Sequence, residues 1–149
     1  MPKDISVSIV IYNDYEVAKD AVHSLEQFTS QQLSKSVYVV DNGADVSLKD
    51  EQYSFLKYLK QYKDVTYIDA GENLGFGKGH NLVLDQLDSR YHVIMNPDIL
   101  FCEDALGKIV NWMDDNPDVG MVIPCITDTD GNRQAVYRKE LTVFDMFSL

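Results

Sequence analysis

Short apolar runs alternate along the chain with stretches in which apolar residues recur at helical spacing. Ile5-Ser6-Val7-Ser8-Ile9-Val10-Ile11 is rich in β-branched residues and predicts a strand. Asn13 or Asp14 can cap the helix that follows, whose apolar positions are Val17, Ala18, Ala21, Val22, Leu25 and Phe28. Val37–Val40 predicts a second strand, ending at Asp41-Asn42-Gly43. Phe55, Leu56, Leu59 and Tyr62 mark a second helix, and Val65–Ile68 a third strand. A glycine-rich loop from Gly71 to Gly79 leads into a helix carrying Leu82, Val83, Leu84 and Leu87. His92–Met95 predicts a fourth strand, closed by Asn96-Pro97-Asp98. Ala105, Leu106, Ile109, Val110 and Met113 mark a fourth helix. It should end near Asp114-Asp115, because carboxylates are unfavourable at a helix C-terminus. Gly120–Ile123 predicts a fifth strand, and Asp130-Gly131 a turn.

This alternation predicts an α/β fold with a mostly parallel sheet. Ligands of such sheets bind outside the carboxyl ends of the strands. That rule selects Tyr12-Asn13-Asp14, Asp41-Asn42-Gly43, the loop after Ile68, and Asn96-Pro97-Asp98. One polar strand end is ordinary turn chemistry. Four converging on one edge predict a site.

Charge narrows what that site can take. The chain has 149 residues, 13 Lys+Arg against 24 Asp+Glu, and a formal net charge of −11. Such an acidic protein lacks the basic face that a nucleic acid requires. The apolar fraction of 45% is enough to build a core. Cys102 and Cys125 both follow apolar residues and are expected to be reduced, buried thiols. The N-terminus lacks the apolar core of a signal peptide. No apolar run approaches the ~18 residues of a membrane helix, so a cytoplasmic chain without a transmembrane segment is expected.

The loop Gly71-Glu72-Asn73-Leu74-Gly75-Phe76-Gly77-Lys78-Gly79-His80-Asn81 invites a phosphate reading. It is not a P-loop: Glu72 stands where the first glycine is needed, and Gly79 follows Lys78 in place of Ser or Thr. Nor is it the dinucleotide fingerprint, since His80 occupies the third glycine position. Glycines still allow close approach of backbone to a ligand. A helix opening there would favour an anion, and Lys78 adds a cation. His80, like His23 and His92, is expected to be a packing or hydrogen-bonding residue, having no neighbouring metal-ligand partners. Asp98, just past a buried strand, can hold Mg²⁺ or Mn²⁺ with phosphate oxygens completing the shell. Two like charges 4 Å apart cost on the order of 4 kcal/mol at an effective dielectric of 20. A diphosphate beside Asp98 therefore requires a cation between them.

Four segments occur in the order seen in family 2 glycosyltransferases. They are Ile9–Asn13, Val39–Gly43, Asn73–Asn81 and Met95–Asp98, and the resemblance is closest to the rhamnosyltransferase-like branch. It implies a GT-A fold, a Rossmann-like three-layer α/β/α arrangement, that binds a nucleotide-diphospho-sugar such as a UDP- or dTDP-sugar. Tyr12 and Asn13 would line the nucleotide pocket, and Asp41, beside Asn42, would hydrogen-bond the base. Asn73, Gly75, Gly77, Lys78, Gly79 and Asn81 would wrap the ribose and diphosphate. Asn96 and Asp98 take the place of the family's Asp-x-Asp motif, with Asp98 as metal ligand. The connection through Asp128–Asn132 and Arg133–Arg138 would lead toward an acceptor in cell-surface polysaccharide or lipid-linked glycan. Inverting transfer needs a carboxylate base. The resemblance puts it beyond Leu149, so residues 1–149 are expected to be the donor-binding portion of a GT-A domain cut short at its C-terminus. Competing readings are a sugar nucleotidyltransferase and a non-catalytic nucleotide-binding module. The first would carry a glycine- and basic-rich loop after the first strand, where this chain has Tyr12-Asn13-Asp14-Tyr15.

Overall fold

The computed structural model describes residues 2–43 and 45–134 and divides into two units, Met1–Asn116 and Pro117–Leu149. The first unit contains β1 (Lys3–Ile11), α1 (Tyr15–Phe28), β2 (Lys35–Asp41), α2 (Lys49–Leu59), β3 (Val65–Asp69), α3 (Gly75–Asn81), β4 (Ser89–Met95) and α4 (Ala105–Asp115). The four strands form one sheet in the order β3-β2-β1-β4, with every pair parallel. The α/β expectation therefore holds.

β1 lies inside the sheet and separates two unlike faces. Ile5, Val7, Ile9 and Ile11 face a core built with α1, α2 and α4, where Ala18, Val22, Leu25, Phe55, Leu106 and Val110 are buried. Phe55 fills its centre, with ring centroids 5.6 Å from Tyr15 and 6.4 Å from Tyr67. The other face is thinner. Val10, Val40 and Val83 form its small apolar cluster, and Ser6 and Ser8 are buried on it. Helix ends follow local chemistry. Asp14 caps α1 by accepting from the Val17 N–H, and Asp104 caps α4 by accepting from the Gly107 N–H.

Three expectations are corrected. The glycine segment is not a loop up to Gly79: α3 begins at Gly75, and the predicted helix over Leu82–Leu87 is only a 3₁₀ turn at Leu84–Gln86. Glycine disfavours helices intrinsically, but here tertiary contacts fix the helix. The Asn42 Nδ2 donates to the Gly75 carbonyl at 3.0 Å, and Gly79 packs against Val10. Second, Gly120–Ile123 is not a strand. An apolar run becomes a strand only when a neighbour completes its ladder. None of the described residues pairs with this one, and Met121 and Ile123 are exposed. Third, Cys102 and Cys125 are exposed thiols. Each lies outside the helices and strands, so its apolar neighbours in sequence do not enclose it. In the second unit, the Asp130-Gly131 turn is present. Thr127 and Arg133 form an antiparallel bridge, and the Asp128 Oδ1 accepts from the Asp130 and Asn132 N–H groups. Residues 135–138 of the expected acceptor connection lie outside the described residues.

Candidate functional site

Because all strands are parallel, their carboxyl ends share one edge. The register places Ile11 of β1 opposite Asp41 of β2, Asp41 opposite Asp69 of β3, and Ile9 opposite Met95 of β4. The polar segments after β1, β2, β3 and β4 therefore leave the sheet on the same side. Asn13 leaves β1 with φ 58°, a left-handed conformation that Asn tolerates better than most residues. Gly43 has no room for a side chain. A Cβ there would lie 2.6 Å from Asn13 Oδ1 and 2.7 Å from Asp41 Oδ1.

Asp41 is the centre of this edge, and it is fully buried. Its Oδ1 accepts from the Gly43 N–H at 2.7 Å. Its Oδ2 accepts from Tyr67 Oη at 2.5 Å, Tyr15 Oη at 3.0 Å and Gln52 Nε2 at 3.3 Å. Gln52 Nε2 also donates to Tyr67 Oη at 2.9 Å. Burial, and then the bond to Asp41, push the Tyr15 and Tyr67 hydroxyls well above the ordinary phenol value, so both stay protonated donors. Beside this cluster opens a cleft of about 160 Å³, lined by Tyr15, Gly43, Asp45, Val46, Lys49, Gln52, Asp69 and Gly71. That is below the roughly 300–1,000 Å³ of complete small-molecule pockets. Asp45 and Asp69 are tied back into their own turns, accepting from the Ser47 and Gly71 N–H groups. Lys49 is the cation of the lining.

The second half of the edge is the glycine helix. Asn73 Oδ1 accepts from the Gly75 N–H and closes the turn into α3. Gly75 takes φ 76°, where a side chain would be strained. Gly75, Gly77, Lys78 and Asn81 are exposed, while Gly79 and His80 face the sheet. Asn42 is 2% exposed, and its Nδ2 holds α3 by donating to the Gly75 carbonyl. Tyr12 is 56% exposed at the end of β1.

Asn96 and Asp98 are exposed just past β4. Among the described residues, no group of three or more His, Cys, Asp or Glu side chains is placed to hold a metal ion. The described residues thus form no protein cage for a metal there. A lone exposed carboxylate still fits Mg²⁺ or Mn²⁺, which keep several waters and are commonly shared with substrate phosphates.

The polar strand end at Asp41-Asn42 and the glycine segment are visible in the sequence; the donors around Asp41 are not. Tyr15, Gln52 and Tyr67 come from two helices and a neighbouring strand. Only Tyr67 carried a local signal, two residues before the end of its strand. His80 and His92, expected to be hydrogen-bonding residues, are so: His80 Nδ1 lies 2.7 Å and His92 Nε2 3.0 Å from Ser8 Oγ. Burial lowers both below the ordinary value of 6.5. The unfolded chain then takes up protons before the folded one as pH falls. Their contribution is complete above about pH 6.5 and is lost as pH drops through the lowered folded values. A thermal denaturation series should show Tm falling between pH 7.5 and 5.5, before ordinary carboxylates begin to titrate.

Similarity to known proteins extends to the family and the fold. The glycosyl transferase family 2 profile matches residues 6–147. Crystal structures of S. aureus TarS are similar in fold. One aligns at 19% identity with a TM-score of 0.63, covering 76% of this chain and 20% of TarS. TarS 1-349 in complex with UDP aligns at 19% identity and TM-score 0.61, over 75% of this chain and 32% of that one. The mannosyltransferase PcManGT from Pyrobaculum calidifontis, in complex with GDP-Man and Mn2+, aligns at 18% identity and TM-score 0.63, over 76% and 33%. The chain thus spans between a fifth and a third of the solved proteins it matches. No curated protein sequence matches it. Among the described residues, no helix is long and apolar enough to cross a membrane. The α/β fold is that of the GT-A glycosyltransferases, and the chain belongs to glycosyl transferase family 2.

Proposed function

We propose that residues 1–149 are the donor-binding portion of an inverting glycosyltransferase that takes a UDP- or dTDP-sugar with Mg²⁺ or Mn²⁺. The observation that carries this reading is the convergence of four polar strand ends and the glycine helix on one sheet edge. The base enters the cleft beside Gly43, Gln52 and Asp69. Asp41 acts there by fixing Tyr15 and Gln52, which form part of the wall. Tyr12 and Asn13 border the nucleotide from the end of β1. Lys78 and the exposed faces of Gly75, Gly77 and Asn81 flank the ribose and diphosphate. Asp98, beside Asn96, is the metal ligand. Held there, a divalent cation would supply positive charge against a leaving diphosphate. The acceptor is a hydroxyl of a cell-surface polysaccharide or lipid-linked glycan, deprotonated by a carboxylate base, and the order of the four motif segments supports a rhamnosyltransferase-like enzyme.

The test is a thermal shift. UDP or dTDP should raise Tm with Mn²⁺ present and have little effect in EDTA. Asp98→Ala should lose most of the metal-dependent part while keeping the Tm of the unliganded protein, since Asp98 is exposed. An Asp98→Ala variant with the full metal-dependent shift would remove Asp98 from its role.

A further inference from the structure

The thin face of the sheet hides a line of hydrogen-bonding side chains that the proposed donor chemistry does not use. It runs Ser89, Ser6, His92, Ser8, His80, crossing from β4 to β1 and ending on α3. Neighbouring atoms are separated by 2.7, 2.8, 3.0 and 2.7 Å in that order. Each serine hydroxyl has one proton to give, and each neutral imidazole has one N–H. These limits set the direction of the whole line.

Ser89 Oγ donates to the Tyr91 carbonyl at 2.8 Å, so its proton is committed. Ser6 then donates to Ser89 at 2.7 Å in preference to the Tyr91 carbonyl at 3.5 Å, and accepts from His92. That puts the His92 proton on Nδ1 and leaves Nε2 as an acceptor. Ser8 donates to His92 Nε2 and must accept from His80, so the His80 proton is also on Nδ1. His80 Nε2 is left as a bare lone pair, buried and without a partner among the described residues. The opposite direction would put an N–H at that same buried position and would break the Ser89 bond to Tyr91. A buried unpaired N–H is the rarer and costlier outcome.

The line ends on the element that needs fixing. α3 is seven residues long and contains three glycines, so it has little helical stability of its own. Its other tethers are the Asn42 bond to Gly75 and the packing of Gly79 on Val10. His80 is 4% exposed and stands edge-on to Phe76, with centroids 4.4 Å apart.

We propose that His80 is a positioning residue of the donor site. A one-way hydrogen-bond relay, with both imidazoles neutral and protonated on Nδ1, fastens the glycine helix to β1 and sets where Lys78 and Asn81 stand. The fastening is a property of the fold; its effect on the donor rests on the function proposed above.

Two experiments on the 149-residue chain keep these apart. Imidazole ¹⁵N NMR at pH 7.5 should show the Nδ1–H tautomer for both His80 and His92; an Nε2–H tautomer at either residue would overturn the relay, whatever the protein binds. Hydrogen exchange should then be followed in Ser8→Ala, His80→Phe and His80→Asn. The amides of Asn81–Val83 should exchange about ten-fold faster in the first two, with β2 amides unchanged, as expected for loss of one buried hydrogen bond. His80→Asn retains a donor toward Ser8 and should restore most of the protection. Unchanged exchange in both Ser8→Ala and His80→Phe would refute the fastening. UDP with Mg²⁺ provides the functional arm. Its Kd should weaken in parallel with the exchange rates, and a Kd unchanged in variants whose helix is loosened would refute the positioning role. Failure of the wild-type chain to bind UDP or dTDP would instead count against the donor reading, and the NMR and exchange results would still decide the relay.

Discussion

Asp41→Ala should destabilise the protein by about 3–4 kcal/mol, because it strips an acceptor from several buried donors at once. The Gly43 N–H, both tyrosine hydroxyls and Gln52 Nε2 all point at this carboxyl group. Each buried donor left unpaired costs roughly 1–3 kcal/mol, and partial rewetting from the adjacent cleft keeps the sum below the simple total. Asp41→Asn should be milder, at about 1–2 kcal/mol, since the amide can turn its oxygen toward the three side-chain donors and sacrifice only the Gly43 bond. Urea denaturation of both variants checks the magnitudes and their order. Equal losses for Ala and Asn would mean that the cluster depends on charge rather than on acceptor count.

The glycine helix should respond to alanine with opposite signs two residues apart. A Cβ on Gly79 would lie 2.9 Å from both methyl carbons of Val10 and 3.2 Å from Asn42 Nδ2. Gly79→Ala therefore pushes α3 off β1 and should cost about 1–3 kcal/mol of overpacking, offset in part by the better helix propensity of alanine. Gly79→Val adds two more carbons and loses most of that offset, so it should be worse. At Gly77 a Cβ meets nothing within 4 Å and the backbone is ordinary helix. Gly77→Ala should stabilise by up to about 1 kcal/mol. Chemical denaturation of the three variants reads the contrast directly. A destabilising Gly77→Ala would show that the helix is not formed in solution.

The parallel strands were legible in the sequence for a physical reason. A strand buried on both faces must be apolar almost throughout, so Val37–Val40 of the interior strand β2 stands out without knowledge of its neighbours; Val65–Ile68, at the sheet edge with Thr66 exposed, stands out by its β-branched and aromatic residues. The helices α1 and α4 were legible from spacing, and α1 also from its cap candidate Asp14. α3 was not, because its composition argues against a helix, and Val10, Asn42 and Ser8, all distant in sequence, hold it in place. The same gap explains the over-read strand at Gly120–Ile123: an apolar run shows what could pair, not whether a partner is there. The site divides in the same way. The edge was readable, since parallel topology alone sends Asn13, Asp41 and Asp98 to one side. The shell around Asp41 was not, since Tyr15 and Gln52 reach it from helices on either side of β2. The alternation of Ser6 and Ser8 with Ile5, Val7 and Ile9 was a visible sign that one face of β1 is polar, and His80 and His92 supply its partners.

The central claim is that a nucleoside diphosphate occupies the carboxyl edge of this sheet together with a divalent cation. Amide NMR of the 149-residue chain, titrated with UDP or dTDP in the presence and absence of Mg²⁺, tests it most directly. With Mg²⁺, shifts should concentrate at Asn13, Gly43, Gly71, Gly75–Asn81 and Asp98, and they should largely vanish in EDTA. Shifts confined to other surfaces, or the same shifts without any cation, would contradict it.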